Sequence, residues 1–219
     1  MSRHFAPLDA RPTQWRWRQV ARRIRVPLGF VTAVLYLFEV ARRPARPAAI
    51  AWSLVLVLPG LALRAAASGT VKKNRELTVT GPYAYTRHPL YLGSMLTAAG
   101  FAVALLNWPL ALLIAAGFAV IYIPVIVGEE QFLRATFPAF DDYSRQVPGL
   151  VPRLTPAKLQ NGKGIPPGAR SVSRTPLGGF SLALYRQHRE YNAALGAALL
   201  YLGLLYLRPA LEFLLHRFR

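Results

Sequence analysis

Residues 81–93 read Gly-Pro-Tyr-Ala-Tyr-Thr-Arg-His-Pro-Leu-Tyr-Leu-Gly, and two adjacent acids, Glu129 and Glu130, close the apolar segments that follow. Polar groups beside membrane-type segments are costly unless they are paired or used. Arg87 is a permanent cation whose planar fork suits a carboxylate or phosphate, and His88 can donate, accept or titrate. Pro89 fits the first turn of a helix, where its missing N–H costs nothing, so Arg87 and His88 fall at the positive end of that helix, a site that favours anions. Tyr91 and Gly93 then offer a flat ring and a place where a ligand can approach the backbone. The block points to a pocket for a ligand carrying a carboxylate and an aromatic group. On a helix Glu129 and Glu130 project about 100° apart, so one can face the ligand while the other pairs with a cation such as Arg87. Acids at a helix C-terminus also oppose the macrodipole and require compensation. Taken singly, several of these residues have plainer uses. Arg87 can be a positive-inside anchor, His88 a hydrogen-bonded interface residue, and Tyr83, Tyr85 and Tyr91 interface aromatics, while Gly93 can serve helix packing.

The elements that must position these groups are apolar. The chain has 219 residues, 53% hydrophobic, a mean hydropathy of +0.28 and a formal net charge of +18. Its basic residues flank long apolar runs, which argues for anchoring to anionic lipid headgroups and against the single basic face of a nucleic-acid binder. There is no cysteine, so disulfides and thiolate chemistry are excluded, and with four histidines no metal site is expected. Dinucleotide-binding, Walker, zinc-protease and serine-elbow motifs are absent.

Residues 13–25 are basic and amphipathic, fit to lie at the headgroup level, and no signal-peptide cleavage pattern is seen. Apolar runs follow at 26–40, 49–67, 89–106, 109–127 and 192–208, the last reaching towards His216. Asn107-Trp108-Pro109 alone separates the third from the fourth, which requires a tight antiparallel hairpin. The expectation is an all-α integral membrane protein of about five transmembrane helices, built around this hairpin, with a cytoplasmic cofactor pocket. Charge bias puts Lys72, Lys73, Arg75 and Arg87 inside with the basic stretch after Glu130, and the hairpin turn outside. Arg42, Arg43 and Arg46 disagree, since their loop would lie outside; the run 26–40 is therefore either a span or a re-entrant or interfacial segment. The implied organisation is a basic segment at 1–25, a membrane core at 26–155, a Gly/Pro/Ser-rich basic linker at 156–178, and a short helix with the last span at 179–219.

Arg87-His88-Pro89-Leu90-Tyr91-Leu92-Gly93 followed by Glu129-Glu130 resembles the Arg-His-Pro-x-Tyr-x-Gly … Glu-Glu signature of the isoprenylcysteine carboxyl methyltransferase family, a group of membrane methyltransferases that includes relatives of the phospholipid methyltransferases. Gly81-Pro82-Tyr83-x-Tyr85, Leu133, Phe137, Tyr143 and Val147-Pro148 fit as well. The chain departs from the pattern at Phe137-Pro138, where relatives usually have Phe-Gly, and the spacing to Tyr143 is a residue short. The resemblance implies S-adenosylmethionine bound at the cytoplasmic face by Arg87, His88, Tyr91, Gly93, Glu129 and Glu130; Tyr83 and Tyr143 are the candidates for contact with the substrate. Arg87 and Glu130 are the first candidates for a catalytic part. The acceptor would be a membrane lipid or a small molecule presenting a carboxylate, amine or thiol. Two other readings remain open at this stage: a nicotinamide-dependent membrane reductase of related fold, and a lipid-binding scaffold without activity. An Arg-rich, Lys-poor composition fits a bacterial inner-membrane protein.

Overall fold

A computed structural model describes residues 27, 29–43, 46–72, 76–157 and 179–217, and its regular elements are helices. The expected amphipathic segment at 1–25, the linker from residue 158 to 178, and Lys73 and Arg75 lie outside the described residues. The elements are α1 (29–42), α2 (Pro47–Thr70), a 3-10 turn (Gly81–Ala84), α3 (Pro89–Leu105), α4 (Trp108–Thr136), α5 (Phe140–Gln146), α6 (Leu182–Gln187) and α7 (Tyr191–Arg217). Three helices, α2, α4 and α7, are long and apolar enough to cross a membrane. At about 1.5 Å per residue, the 17 residues of α3 extend roughly 25 Å, short of the ~30 Å hydrocarbon layer, and described α1 is shorter still.

The helices run alternately up and down, and α7 runs parallel to α1 and α3. The Glu39 carboxylate of α1 accepts from Asn107 Nδ2 at 2.8 Å and pairs with Arg43 Nε at 2.9 Å. The end of α1 and the α3–α4 turn therefore lie at one end of the bundle, called the hairpin end. Tyr36 meets Phe101 edge-on, with centroids 5.4 Å apart, and Ser53 Oγ of α2 hydrogen-bonds Tyr201 Oη of α7 at 2.7 Å. So α1 lies along α3 over its described length instead of turning back. Tyr36, Val40, Val57, Phe101, Ala104, Ala197 and Leu204 form the main buried cluster.

Glycine sets the closest helix pair. A Cβ at Gly60 would lie 2.6 Å from Thr97 Oγ1 and 2.8 Å from the Gly93 carbonyl oxygen, and one at Gly93 would lie 2.6 Å from the Gly60 oxygen. The α2 and α3 backbones thus touch, as small residues permit in membrane bundles. By contrast α3 and α4, though joined in sequence, make far fewer contacts.

Two sequence expectations are corrected here. The hairpin turn is Leu106-Asn107 alone. Trp108 and Pro109 already open α4, because Asn107 caps it by accepting from Leu110 N at 3.2 Å and proline tolerates the first turn. And Glu129 and Glu130 do not close their helix. Helix α4 continues to Thr136 and carries Arg134 in its last turn. The macrodipole acts mainly within that last turn, so it is not what the acids must offset.

At the opposite end a second buried cluster, made of Leu77, Val79, Phe137, Phe140, Tyr143 and Val147, caps the helices. The expected short helix near 179–190 appears as α6. It docks on the end of α2, where Ser181 N donates to Gly69 O at 2.8 Å and His188 Nδ1 donates to Ser68 O at 2.9 Å.

Candidate functional site

The Arg-His-Pro block is rigid before any ligand is considered. Gly81 takes a left-handed φ of 61°, which glycine adopts without strain, and Pro82 begins the 3-10 turn. Residues 84–88 are then held by the segment after α5. Arg87 N donates to Pro148 O at 2.9 Å, His88 N to Gly149 O at 3.0 Å, and Thr86 Oγ1 to Gly149 O at 2.6 Å. Further along, Arg153 N donates to Tyr85 O and Ala157 N to Ala84 O, each at 2.9 Å. This strap spans 148–157 and shows in sequence only as a proline and glycine after an amphipathic segment.

His88 is the N-cap residue of α3 but makes no side-chain cap bond. Its ring reaches across to α4, where Nε2 lies 2.9 Å from Glu130 Oε1. A carboxylate only accepts, so Nε2 carries the proton in this contact. Arg87 Nη2 stands 3.1 Å from the same oxygen, and the two partners' side chains are largely buried, 18% and 23% exposed. Arg87 Nε is buried with no hydrogen-bond partner among the described residues. Glu129, about 100° round the helix, accepts from Tyr91 Oη at 2.8 Å. The acids therefore divide as their spacing predicts: Glu130 joins Arg87 and His88, and Glu129 joins Tyr91.

Gly93 lies on the other side of α3, since two residues of helix turn through about 200°. It faces Arg64 and Gly60 of α2. The structure thus gives it a packing role at the helix crossing, where the resemblance implies cofactor contact. Tyr143 is buried and donates to the Tyr83 carbonyl at 2.8 Å, tying α5 to the 3-10 turn. Burial pushes the phenol of Tyr83 well above its ordinary pKa, with the charge of Glu129 adding to the effect. Burial does the same for Tyr143, with Arg87 opposing. Both rings stay neutral, and Tyr143 acts as a strut. The Tyr143→Phe variant leaves a buried carbonyl unmet and is expected to lose about 1–3 kcal/mol. Thermal unfolding in detergent would read this as a lowered midpoint.

A line of rings leads from the cluster into the bundle. His88 and Tyr91 centroids are 5.7 Å apart, Tyr91 meets Tyr122 edge-on at 5.4 Å, and Tyr122 stacks on Phe118 at 3.8 Å. Tyr122 and Phe118 line an apolar groove of about 710 Å³ between α3 and α4. Its walls include Met95, Ala102, Ala115 and Ile126, with Leu150 of the strap at the site end. Sequence reading did not single out Tyr122 or Thr86, and of the strap it named only Pro148. Tyr122 is a tyrosine inside an apolar run, and that is its only sequence signal. Among the described residues, no group of three or more His, Asp or Glu side chains is placed to hold a metal ion.

The architecture is that of an all-helical protein with three candidate membrane spans and a polar cluster shared by α3, α4 and the strap. Residues 50–139 match the phospholipid methyltransferase family model, and this segment contains both the Arg-His-Pro block and the acid pair. The chain is 40% identical over 84 residues to the nickel-cobalt-cadmium resistance protein NccN of Alcaligenes xylosoxydans xylosoxydans. It is 37% identical over 84 residues to the cobalt-zinc-cadmium resistance protein CzcN of Cupriavidus metallidurans. Each match takes in 38% of this chain and spans only 39% of the relative's length. No solved structure matches the chain.

Proposed function

We propose that the protein is a membrane methyltransferase that binds S-adenosylmethionine at the cluster of Arg87, His88, Tyr91, Glu129 and Glu130, on the cytoplasmic face, and methylates a lipophilic acceptor. The observation that carries this reading is the convergence of two motifs, from different helices of the family-matched segment, into one cluster of opposite charges. The residues fit the ligand. An amino-acid zwitterion needs a cation for its carboxylate, and Arg87 presents a buried Nε without a partner among the described residues. It also needs an acceptor for its ammonium. Glu129, oriented by one bond from Tyr91, retains acceptor capacity for that group or for ribose hydroxyls.

When bound, S-adenosylmethionine supplies an electrophilic methyl on a sulfonium, whose C–S bond breaks as the acceptor's lone pair attacks, leaving a neutral thioether. The chain's own residues contribute position. His88 holds Glu130, Glu130 holds Arg87, the strap holds the backbone of Arg87 and His88, and Tyr91 holds Glu129. Alignment of this kind is the main lever for a direct displacement. The buried rings of Tyr83 and Tyr143 lie beside the charges of Glu129, Arg87 and Glu130, and a drier setting favours a reaction that disperses charge. An ionised carboxylate acceptor needs no base, whereas an amine or thiol must also give up a proton. The apolar groove that ends at Leu150 supports a lipophilic acceptor.

Binding of methyl-labelled S-adenosylmethionine to the purified full chain tests the reading. Saturable binding is expected, with a loss of about tenfold or more in Arg87→Ala. Absence of binding, or binding indifferent to that change, would overturn it. Incubating membranes with the labelled donor and separating lipid, protein and volatile products then identifies the acceptor.

A further inference from the structure

A second polar cluster lies deeper in the bundle. Arg64 of α2 pairs through Nη2 with Glu190, just before α7, at 2.5 Å, and donates through Nη1 to Ser94 Oγ of α3. Its Nε is buried and has no hydrogen-bond partner among the described residues, and the same is true of Tyr36 Oη. Both residues line one open cavity of about 360 Å³ between α1, α2, α3, α4 and α7, to which Thr97 and Asn192 add polar groups. An arginine inside an apolar segment normally marks a partner or a ligand. Here Glu190 and Ser94 take the two Nη groups of the guanidinium, and Nε is left without a partner among the described residues.

The cavity shares Ala98, Ile114 and Tyr122 with the α3–α4 groove. The two spaces are therefore adjacent across Ala98, Ile114 and Tyr122, so that an amphiphile with its chain in the groove has the Arg64 cavity beside it. Tyr122 also packs on Tyr91, whose hydroxyl holds Glu129, so the cavity borders the proposed donor site. We propose that the Arg64 cavity binds the anionic head, phosphate or carboxylate, of the amphiphilic methyl acceptor, with Arg64 Nε and Tyr36 Oη as donors. The word acceptor rests on the methyltransferase reading; the anion site itself does not. Glu190 lies outside the matched segment 50–139, so the C-terminal helices shape this cavity. Its charge fixes the guanidinium but offsets it, and that gives the proposal a sign. Removing the charge strengthens anion binding, and removing Arg64 weakens it.

The test uses the full chain in a neutral maltoside detergent, with dodecyl phosphate, dodecanoate and uncharged dodecanol as probes. Binding is read by calorimetry. At least one anionic probe is expected to bind saturably and more tightly than dodecanol, and the better anion identifies the head. Arg64→Gln is expected to weaken it about tenfold or more, and Glu190→Gln to strengthen it. In case Arg64→Gln folds poorly, Gly196→Leu provides the second variant. Gly196 lines the cavity, and a Cβ there meets nothing within 4 Å, so a leucine fills the space while every polar group stays. It too is expected to weaken anion binding. Equal binding of dodecanol and the anions, or indifference to both Arg64→Gln and Gly196→Leu, would sink the proposal. Donor binding measured on the same wild-type sample separates the two ideas. Its absence removes the methyltransferase reading, while the anion result still decides the cavity.

Discussion

Glu130→Ala is expected to weaken methyl-donor binding and to destabilise the fold, whereas Glu129→Ala is expected to weaken the binding alone. Glu130 Oε1 is the common partner of Arg87 and His88, at 3.1 and 2.9 Å. Deleting it leaves a largely buried guanidinium facing no counter-charge. Breaking a fully buried pair costs about 3–5 kcal/mol, and the partial exposure of this one reduces the figure to roughly 1–3 kcal/mol. Glu129 has no such structural duty. Its bond is with Tyr91, whose hydroxyl can turn to water at a half-buried position. Its loss should weaken the donor about tenfold to a hundredfold, as expected for a charge-assisted contact. Equilibrium dialysis with labelled donor, paired with unfolding midpoints, distinguishes the two acids. If both variants unfolded equally early, or both bound donor normally, the division of labour would be wrong.

The second large effect is expected at Gly60. The Gly60→Leu variant must separate two helix backbones, because a Cβ there would lie 2.8 Å from one backbone oxygen and 2.9 Å from a backbone nitrogen on α3. Overpacking of this kind costs roughly 1–3 kcal/mol, since backbone cannot rotate away as a flexible side chain does. It also shifts α3, and with it Arg87, His88 and Tyr91, so donor binding should fall together with the unfolding midpoint. Gly117→Leu on α4 is the control. Nothing lies within 4 Å of a Cβ there, and better helix propensity should leave stability unchanged or slightly raised. Similar behaviour of the two variants would show that the crossing is not glycine-dependent.

The sequence alone disclosed the cluster better than its supports. Arg87, His88, Tyr91 and the two glutamates were legible because costly polar groups stood out against apolar runs, and the hairpin forced them to one end. The division of the acids followed from helix geometry. What escaped was non-local. Nothing in Pro148-Gly149 announces a clamp on Arg87 and His88, because backbone hydrogen bonds carry no side-chain signature. Gly93 sits inside the motif but serves the crossing with α2, and only the position of Gly60 decides between those uses. Glu190 is one of 9 acids in the chain, yet its partner Arg64 lies on α2, far away in sequence. The end of α4 was misread because Gln131-Phe132-Leu133-Arg134 extends a helix as readily as it leaves one.

The contrast between a tight α2–α3 pair and a loose α3–α4 pair has a mechanical consequence. Arg87 and His88 are fixed to the α2–α3 pair, while Glu129 and Glu130 ride on α4, which rejoins α3 at Leu106-Asn107. Glu129 lies 21 residues along α4 from Trp108, a lever arm of about 32 Å, so a pivot of one degree at the turn displaces the acids by about 0.5 Å. That displacement is as large as the tolerance of a binding constellation, about 0.5 Å. The charged cluster is thus a latch at the far end of a long lever, where the buried α5 cluster and the strap also tie α4 back to the α3 side. Substitutions at the hinge, remote from every polar group in the site, should be felt there as changes in geometry.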